Sequence, residues 1–175
     1  MNIRRTKPEE LDILMEIFSG AKAFMAKMGN DNQWIAGYPS RELIAQNIAD
    51  GDSYVCLDDT GEIVATFFFK IAPDETYAKI YDGEWLNDEP YGVVHRLASS
   101  GKVKGISDYC LQWCFEQCDN IRVDTHKDNK VMQNAFIRNG FKYCGIIYIK
   151  NGTQRLAFQA ASPAARRCTQ VSDAG

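Results

Sequence analysis

The sequence predicts an α/β (α+β) fold, on three observations. Short β-type runs alternate with segments of helical period. Two pairs of those runs are joined by tight turns. One apolar run also leads through a basic, glycine-bearing loop directly into a helix. In that stretch Gly92-Val93-Val94-His95-Arg96-Leu97-Ala98 is the strand and Lys102-Val103-Lys104-Gly105-Ile106-Ser107 the loop. The helix is read from Ile106, Tyr109, Cys110, Trp113, Cys114 and Gln117, which recur on one face.

The elements follow in order. Asn2 to Arg5 is a short strand, and Thr6-Lys7-Pro8-Glu9 is a capping-box start for a helix that turns Leu11, Leu14, Met15, Phe18 and Met25 inward. Met28 to Trp34 breaks that helix. Ser40 caps a second one, with Leu43, Ile44 and Ile48 inside and a stop at Gly51. Ser53–Leu57 and Glu62–Lys70 pair as a hairpin around Asp58-Asp59-Thr60-Gly61. Tyr77 to Pro90 mixes aromatics with acids, and reads equally as an acidic lip that attracts a cationic amine or as a solvated loop with Trp85 tucked in. Ile121 to His126 is a strand, Asn129 to Phe141 a helix ended by Gly140, and Tyr143–Tyr148 with Gln154–Gln159 a hairpin closed at Asn151-Gly152. We expect one domain over 1–160 and an irregular tail over 161–175, where periodicity is lost around Ser162-Pro163.

The loop carries the chemistry. The first amides of a helix have no intrahelical acceptor, and its dipole adds partial positive charge, so a glycine turn at its start makes an anion site. Lys102 and Lys104 add full charges, which suits a pyrophosphate. There is no GxGxxG with a downstream acid and no GxxxxGK[ST], which argues against dinucleotide folds and nucleoside triphosphatases. Taken alone, an ordinary strand-to-helix turn with two solvated lysines has the same local sequence.

Composition narrows the classes further. With 175 residues, 45% of them hydrophobic, the chain can bury a real core. A net charge of −3 gives no basic footprint for nucleic acid. No apolar run approaches a membrane span and Met1 to Thr6 lacks a signal-peptide core, so a cytoplasmic location is expected. Cys110, Cys114 and Cys118 fall on one helical face. They lack the spacing and fourth ligand of a metal site, and read as small apolar residues packing a helix onto a sheet.

The segment after the loop helix shifts the balance. Asn129, then Phe136 seven residues on, then Gly140-Phe141, follow the basic loop at a characteristic separation, and here the chain resembles the GNAT superfamily of acyl-CoA-dependent N-acyltransferases. That family's cofactor loop reads Q/R-x-x-G-x-G/A. Gly105 matches its glycine, while Lys102 replaces Gln/Arg and Ser107 replaces Gly/Ala. The resemblance spans Tyr91 to Phe158 in motif and Asn2 to Lys70 in pattern. It implies a mixed, mostly antiparallel central sheet flanked by about four helices, with two splayed central strands, Tyr91–Ala98 and Ile121–His126, holding the cofactor.

The same resemblance implies function and roles. Acetyl-CoA would serve as co-substrate, and a primary amine, a small molecule or a protein amine, would attack its thioester directly. Leu97, Ala98, Ser99, Lys102, Val103, Lys104, Gly105, Ile106, Ser107, Asn129, Met132 and Phe136 would bind the cofactor, with an amide near Leu97 or Ala98 facing the thioester oxygen. Trp34, Tyr38 and Trp85 are candidate substrate contacts. Many relatives carry a carboxylate base where Val93 stands, which leaves His95, then Glu84, as the candidate bases. The tyrosine that relatives use as acid is replaced by Phe136. No metal, nucleic acid or membrane partner is expected, and the chain would act as a monomer or homodimer. Two other readings stay open: an acyl-CoA-binding protein without turnover, and an unrelated α/β module whose basic loop holds phosphate or nothing.

Overall fold

A computed structural model describes residues 1–161. Seven strands and four helices follow one another as β1 (Asn2–Arg5), α1 (Leu11–Lys27), α2 (Arg41–Ala49), β2 (Ser53–Leu57), β3 (Ile63–Ile71), β4 (Gly92–Ser99), α3 (Ile106–Gln117), β5 (Asn120–Thr125), α4 (Lys130–Arg138), β6 (Lys142–Tyr148) and β7 (Gln154–Ala161). The strands hydrogen-bond in the order β1-β2-β3-β4-β5-β7-β6. The β1–β2, β2–β3, β5–β7 and β6–β7 ladders are antiparallel, and β4–β5 is parallel. The mixed, mostly antiparallel sheet with four helices is as expected from the sequence. The expected tail begins one residue too early, because Ala161 still pairs with Asn120 in β7, and the rest of it lies outside the described residues.

The described residues form two compact units: Met1–Phe69 with His95–Cys110, and Lys70–Val94 with the described residues from Leu111 onward. The first holds β1, β2, most of β3, the second half of β4, and helices α1 and α2. Its core joins Leu14, Ile17 and Phe18 of α1, Ile44 and Ile48 of α2, Val55, Ile63 and Ala98 of the strands, and Trp34. Ser40 caps α2 as expected, its Oγ accepting the Leu43 amide at 3.1 Å. The start of α1 differs. Thr6 is not its cap, because its hydroxyl is taken by Ser53 Oγ at 2.8 Å and its amide by the Ser53 carbonyl. The carboxylate of Glu10 instead accepts the Lys7 amide at 2.8 Å, and a 3₁₀ turn over Pro8–Glu10 leads into α1.

The second unit packs Tyr77, Val93, Ile147 and Ala157 as one core, with Ile80, Trp85, Tyr91 and Ile149 around it. A second cluster packs Phe136 in tilted contact with Phe141 and Phe158, at 5.4 and 5.5 Å between ring centroids. The loop over 86–90 is held by buried amides. Gln159 donates to Asn120 Oδ1 and accepts from the Leu86 amide, and Asn120 donates to Asn87 and to the carbonyl of Pro90. The β4–β5 ladder registers Gly92 with Ile121 and Val93 with Arg122, while β5 pairs with β7 along its whole length.

Candidate functional site

The basic loop takes shape in the first unit. Ser99 Oγ accepts the Gly101 amide at 3.1 Å, and the Ser100 amide donates to Val64 of β3 at 2.9 Å, so the chain leaves β4 in a fixed direction. Gly105 has φ +74°, and its carbonyl accepts the Tyr109 amide at 3.1 Å, opening α3. A Cβ built on Gly105 meets nothing within 4 Å, so the backbone at the helix start is open to a ligand. The first-turn amides are available to an anion there, and the loop therefore fits a diphosphate. Its two lysines differ. Lys102 forms an ion pair with Glu62, which raises the pKa of its ammonium group. Lys104 is exposed and has no carboxylate partner among the described residues.

Upstream of the loop, β4 departs from a regular strand. Arg96 has φ +54°, a left-handed conformation that costs a non-glycine residue about 1–2 kcal/mol. A regular strand alternates its faces, but His95, Arg96 and Leu97 are three consecutive half-buried residues. The His95 ring approaches the Phe68 ring at 5.7 Å between centroids, and the Arg96 guanidinium lies over it with Cζ 5.1 Å from the centroid. Arg96 donates from Nη1 to Tyr38 Oη at 2.9 Å and from Nη2 to Asn47 Oδ1 at 2.6 Å. Beyond it, Leu97 is half-buried and Ala98 reaches the core. The left-handed residue turns the backbone just ahead of the Leu97 and Ala98 amides.

The aromatic candidates part company. Trp34 is only 9% exposed and meets Phe18 edge-on at 5.7 Å, inside the core of the first unit. Tyr38 is 38% exposed and presents its hydroxyl to Arg96.

In the second unit, Asn129 caps α4, its Oδ1 accepting the Met132 amide at 3.1 Å. Met132 is half-buried and Phe136 is buried. Glu84 is exposed, whereas Trp85 donates its indole N–H to the Tyr77 carbonyl at 3.0 Å. Arg122 lies against the faces of Trp85 and Tyr91, 4.2 and 4.0 Å from the ring centroids, and donates to the Asn87 carbonyl. Burial lowers its pKa from the ordinary arginine value. The segment from Tyr77 to Pro90 is thus tied down by its aromatics as well as its amides.

A buried polar group lies nearby in the same unit. Tyr77 donates to Asp124 Oδ1 at 2.6 Å, and Arg155 approaches the other carboxylate oxygen at 4.0 Å. Burial first, then Asp124, pushes the Tyr77 phenol well above its usual pKa. His126 accepts the Asp128 amide on Nδ1 at 3.2 Å.

Cys110, Cys114 and Cys118 are buried, and burial raises the Cys114 thiol well above its usual pKa. Among the described residues no group of three His, Cys, Asp or Glu is placed to hold a metal, and no helix is long and apolar enough to cross a membrane. Sequence reasoning missed Arg96 and its partners Asn47 and Phe68. The only signal was an arginine inside an apolar run, since arginine gives no hint of a left-handed backbone.

No protein-family model and no curated protein matches the sequence. Solved structures do match. The crystal structure of a GNAT-family acetyltransferase from Streptococcus agalactiae 2603 is 33% identical, with a TM-score of 0.84 over 92% of this chain and 95% of that one. A GNAT-family acetyltransferase from Listeria monocytogenes 4b F2365 shares the fold at 17% identity and TM-score 0.67, over 90% of this chain and 92% of that one. So does a GNAT superfamily phosphinothricin acetyltransferase from Sinorhizobium meliloti, solved in complex with AcCoA, at 13% identity and TM-score 0.59, over 99% of this chain and 94% of that one. With identity of that order to the streptococcal enzyme over nearly the full length of both, the chain belongs to the GNAT family of acetyltransferases.

Proposed function

We propose that the protein moves an acetyl group from acetyl-CoA to a primary amine, by direct attack of the amine on the thioester. The observation that carries this reading is the β4–loop–α3 passage in a member of an acetyltransferase family. It offers open backbone at Gly105, a helix start and an uncompensated Lys104. The residues Lys102 to Ser107 would hold the diphosphate. The short β4–β5 ladder supports entry of the pantetheine arm beside β4.

Bound there, acetyl-CoA supplies an activated acyl group. The backbone turned by Arg96 would aim an amide of Leu97 or Ala98 at the thioester oxygen, a contribution typically worth about 3 kcal/mol. The amine must lose a proton before or during attack, and His95, with Glu84 as the alternative, is the group we assign to accept it. Forming the C–N bond and breaking the C–S bond releases CoA as its thiolate, which leaves tolerably without a protein acid. Of the aromatic candidates, Tyr38 rather than Trp34 would meet the amine.

A second reading, an acyl-CoA-binding protein without turnover, is favoured by one observation. Phe136 brings no hydroxyl and is packed among phenylalanines. Acetyl-CoA should raise the melting temperature under either reading, as a ligand selective for the folded state must. Gly105→Asp should remove that shift. Release of CoA thiol that depends on an added amine separates the two. No thermal shift at millimolar acetyl-CoA would overturn both.

A further inference from the structure

Arg96 is held by neutral groups. Its guanidinium donates to a carboxamide oxygen of Asn47 and the phenol oxygen of Tyr38, and lies over the Phe68 ring. No carboxylate pairs with it among the described residues. These contacts fix the orientation of the group without neutralising its charge. Two of its five N–H donors are used, which leaves a fork able to take a planar anion. A half-buried cation attracts an anion more strongly than a fully exposed one does.

Three further features bear on what that anion is. The left-handed backbone at Arg96 is a strained conformation kept by its surroundings, and such outliers cluster at ligand sites. Arg96 is anchored from α2 and from the α1–α2 connection, not from the phosphate loop, which starts after Ser99 and has its own lysines. The adjacent residue is His95, the assigned base, and both side chains rest on Phe68. An anion on Arg96 therefore lies beside the group that would deprotonate the amine.

We propose that Arg96 binds a carboxylate carried by the acceptor, so that the substrate class is α-amino acids and related amino carboxylates rather than polyamines or aminoglycosides. This rests on the acetyltransferase reading above. Asn47 and Phe68 act as positioning residues that hold the guanidinium, while Tyr38 holds it and also meets the acceptor's amine.

The test compares each proteinogenic amino acid with its C-terminal amide, and with spermidine, as acetyl acceptors. Values of kcat/KM are corrected for the fraction of free amine. Binding of the same pairs to the acetyl-CoA-free protein is measured by calorimetry. At least one amino acid should be favoured over its amide by about tenfold or more, the worth of one charge-assisted contact. Arg96→Gln should narrow that ratio to near unity, and Arg96→Lys should restore part of it. The melting temperature of each variant reports folding, and the acid-to-amide ratio is a readout that a merely structural role would not move.

Equal use of acid and amide, preference for spermidine, or an equal fall for both members of a pair in Arg96→Gln would overturn the proposal. Acetyl-CoA binding without turnover or binding of any amino acid would overturn it too, while the cofactor assignment stood. Arg96-dependent binding of amino acids without any acetyl transfer would uphold the anion site and sink the acetyltransferase reading instead.

Discussion

Gln159 Nε2 donates to Asn120 Oδ1 at 2.7 Å, a bond between two side chains that are both almost fully buried. Their strands are neighbours, with Asn120 opposite Ala161 and Arg122 opposite Gln159. The same pair reaches out to the loop ahead of β4. Gln159 accepts the Leu86 amide at 2.8 Å, and Asn120 donates to Asn87 Oδ1 at 2.9 Å and to the Pro90 carbonyl at 3.0 Å. Those carboxamides fix where β4 begins, two residues after Pro90.

Gln159→Leu keeps the volume and removes the bonds. It removes the acceptor of the Leu86 amide and leaves Asn120 Oδ1 only the 3.5 Å contact from Asn87 Nδ2, and a polar group that loses its partner in this way costs about 1–3 kcal/mol. Urea denaturation should show a loss of that size at unchanged m-value. A loss below about 0.5 kcal/mol, the range of ordinary surface changes, would mean that water replaces the carboxamide.

The loop lysines should not contribute equally to cofactor binding. Glu62 already compensates Lys102, whereas Lys104 has no such partner among the described residues. Lys104→Ala should weaken CoA binding more than Lys102→Ala, and the gap should shrink as salt rises. Pantetheine, which lacks the nucleotide phosphates, should bind all three forms alike. Equal losses for CoA and pantetheine would place the effect in folding instead.

Phe136→Tyr separates a packing role from a catalytic one. Phe136 is 4% exposed, between Phe141 and Phe158, and the added hydroxyl has no polar neighbour in that ring cluster. We expect a destabilisation of about 1–3 kcal/mol and no gain in turnover per folded molecule. A faster enzyme of unchanged stability would show that the position faces the leaving sulfur after all.

Most of the fold was legible because its signals are local. The Ser40 cap, the Gly51, Gly140 and Gly152 turns, and the period of α1 and α4 each depend on a few neighbouring residues. The start of α1 was misjudged because Thr6 is claimed by Ser53, 47 positions away, and no local pattern records that contact. The turn at Gly105 that opens α3 could be read for the same reason as the caps, since the basic loop's glycine and lysines lie close together in sequence. Arg96 could not. Its backbone conformation, its contact with Asn47 on α2 and the absence of a carboxylate partner arise only when distant segments meet. Trp34 shows the converse, an aromatic in a suggestive loop that the core claims.

Stability should fall on acidification, with His126 contributing. Burial chiefly, with the Arg155 guanidinium next and Lys127 adding a little, lowers its pKa below the ordinary 6.5, against a smaller opposing pull from Asp128. The unfolded chain therefore binds a proton at a higher pH than the folded one. Nothing is lost well above 6.5, and stability declines as pH drops through the unfolded value towards the folded one. Melting temperatures from pH 8 to pH 5 should show a shallower acid decline in His126→Gln than in the parent. Parallel curves would mean that other groups carry the acid sensitivity.

His95, as the assigned base, should set the acidic limb of the rate. If it takes the proton from the attacking amine, kcat/KM falls at low pH as the imidazole charges, and His95→Gln removes that limb while lowering the rate by about 10²–10⁴-fold. His126→Gln serves as the control, since it should alter the stability profile and leave the limb in place. The amine also titrates, so the profile is taken with two amino acids of different amine pKa, and the limb assigned to the enzyme is the one that does not move between them. A His95→Gln enzyme that keeps this limb would remove His95 from the role and pass it to Glu84, for which Glu84→Gln is the matching variant.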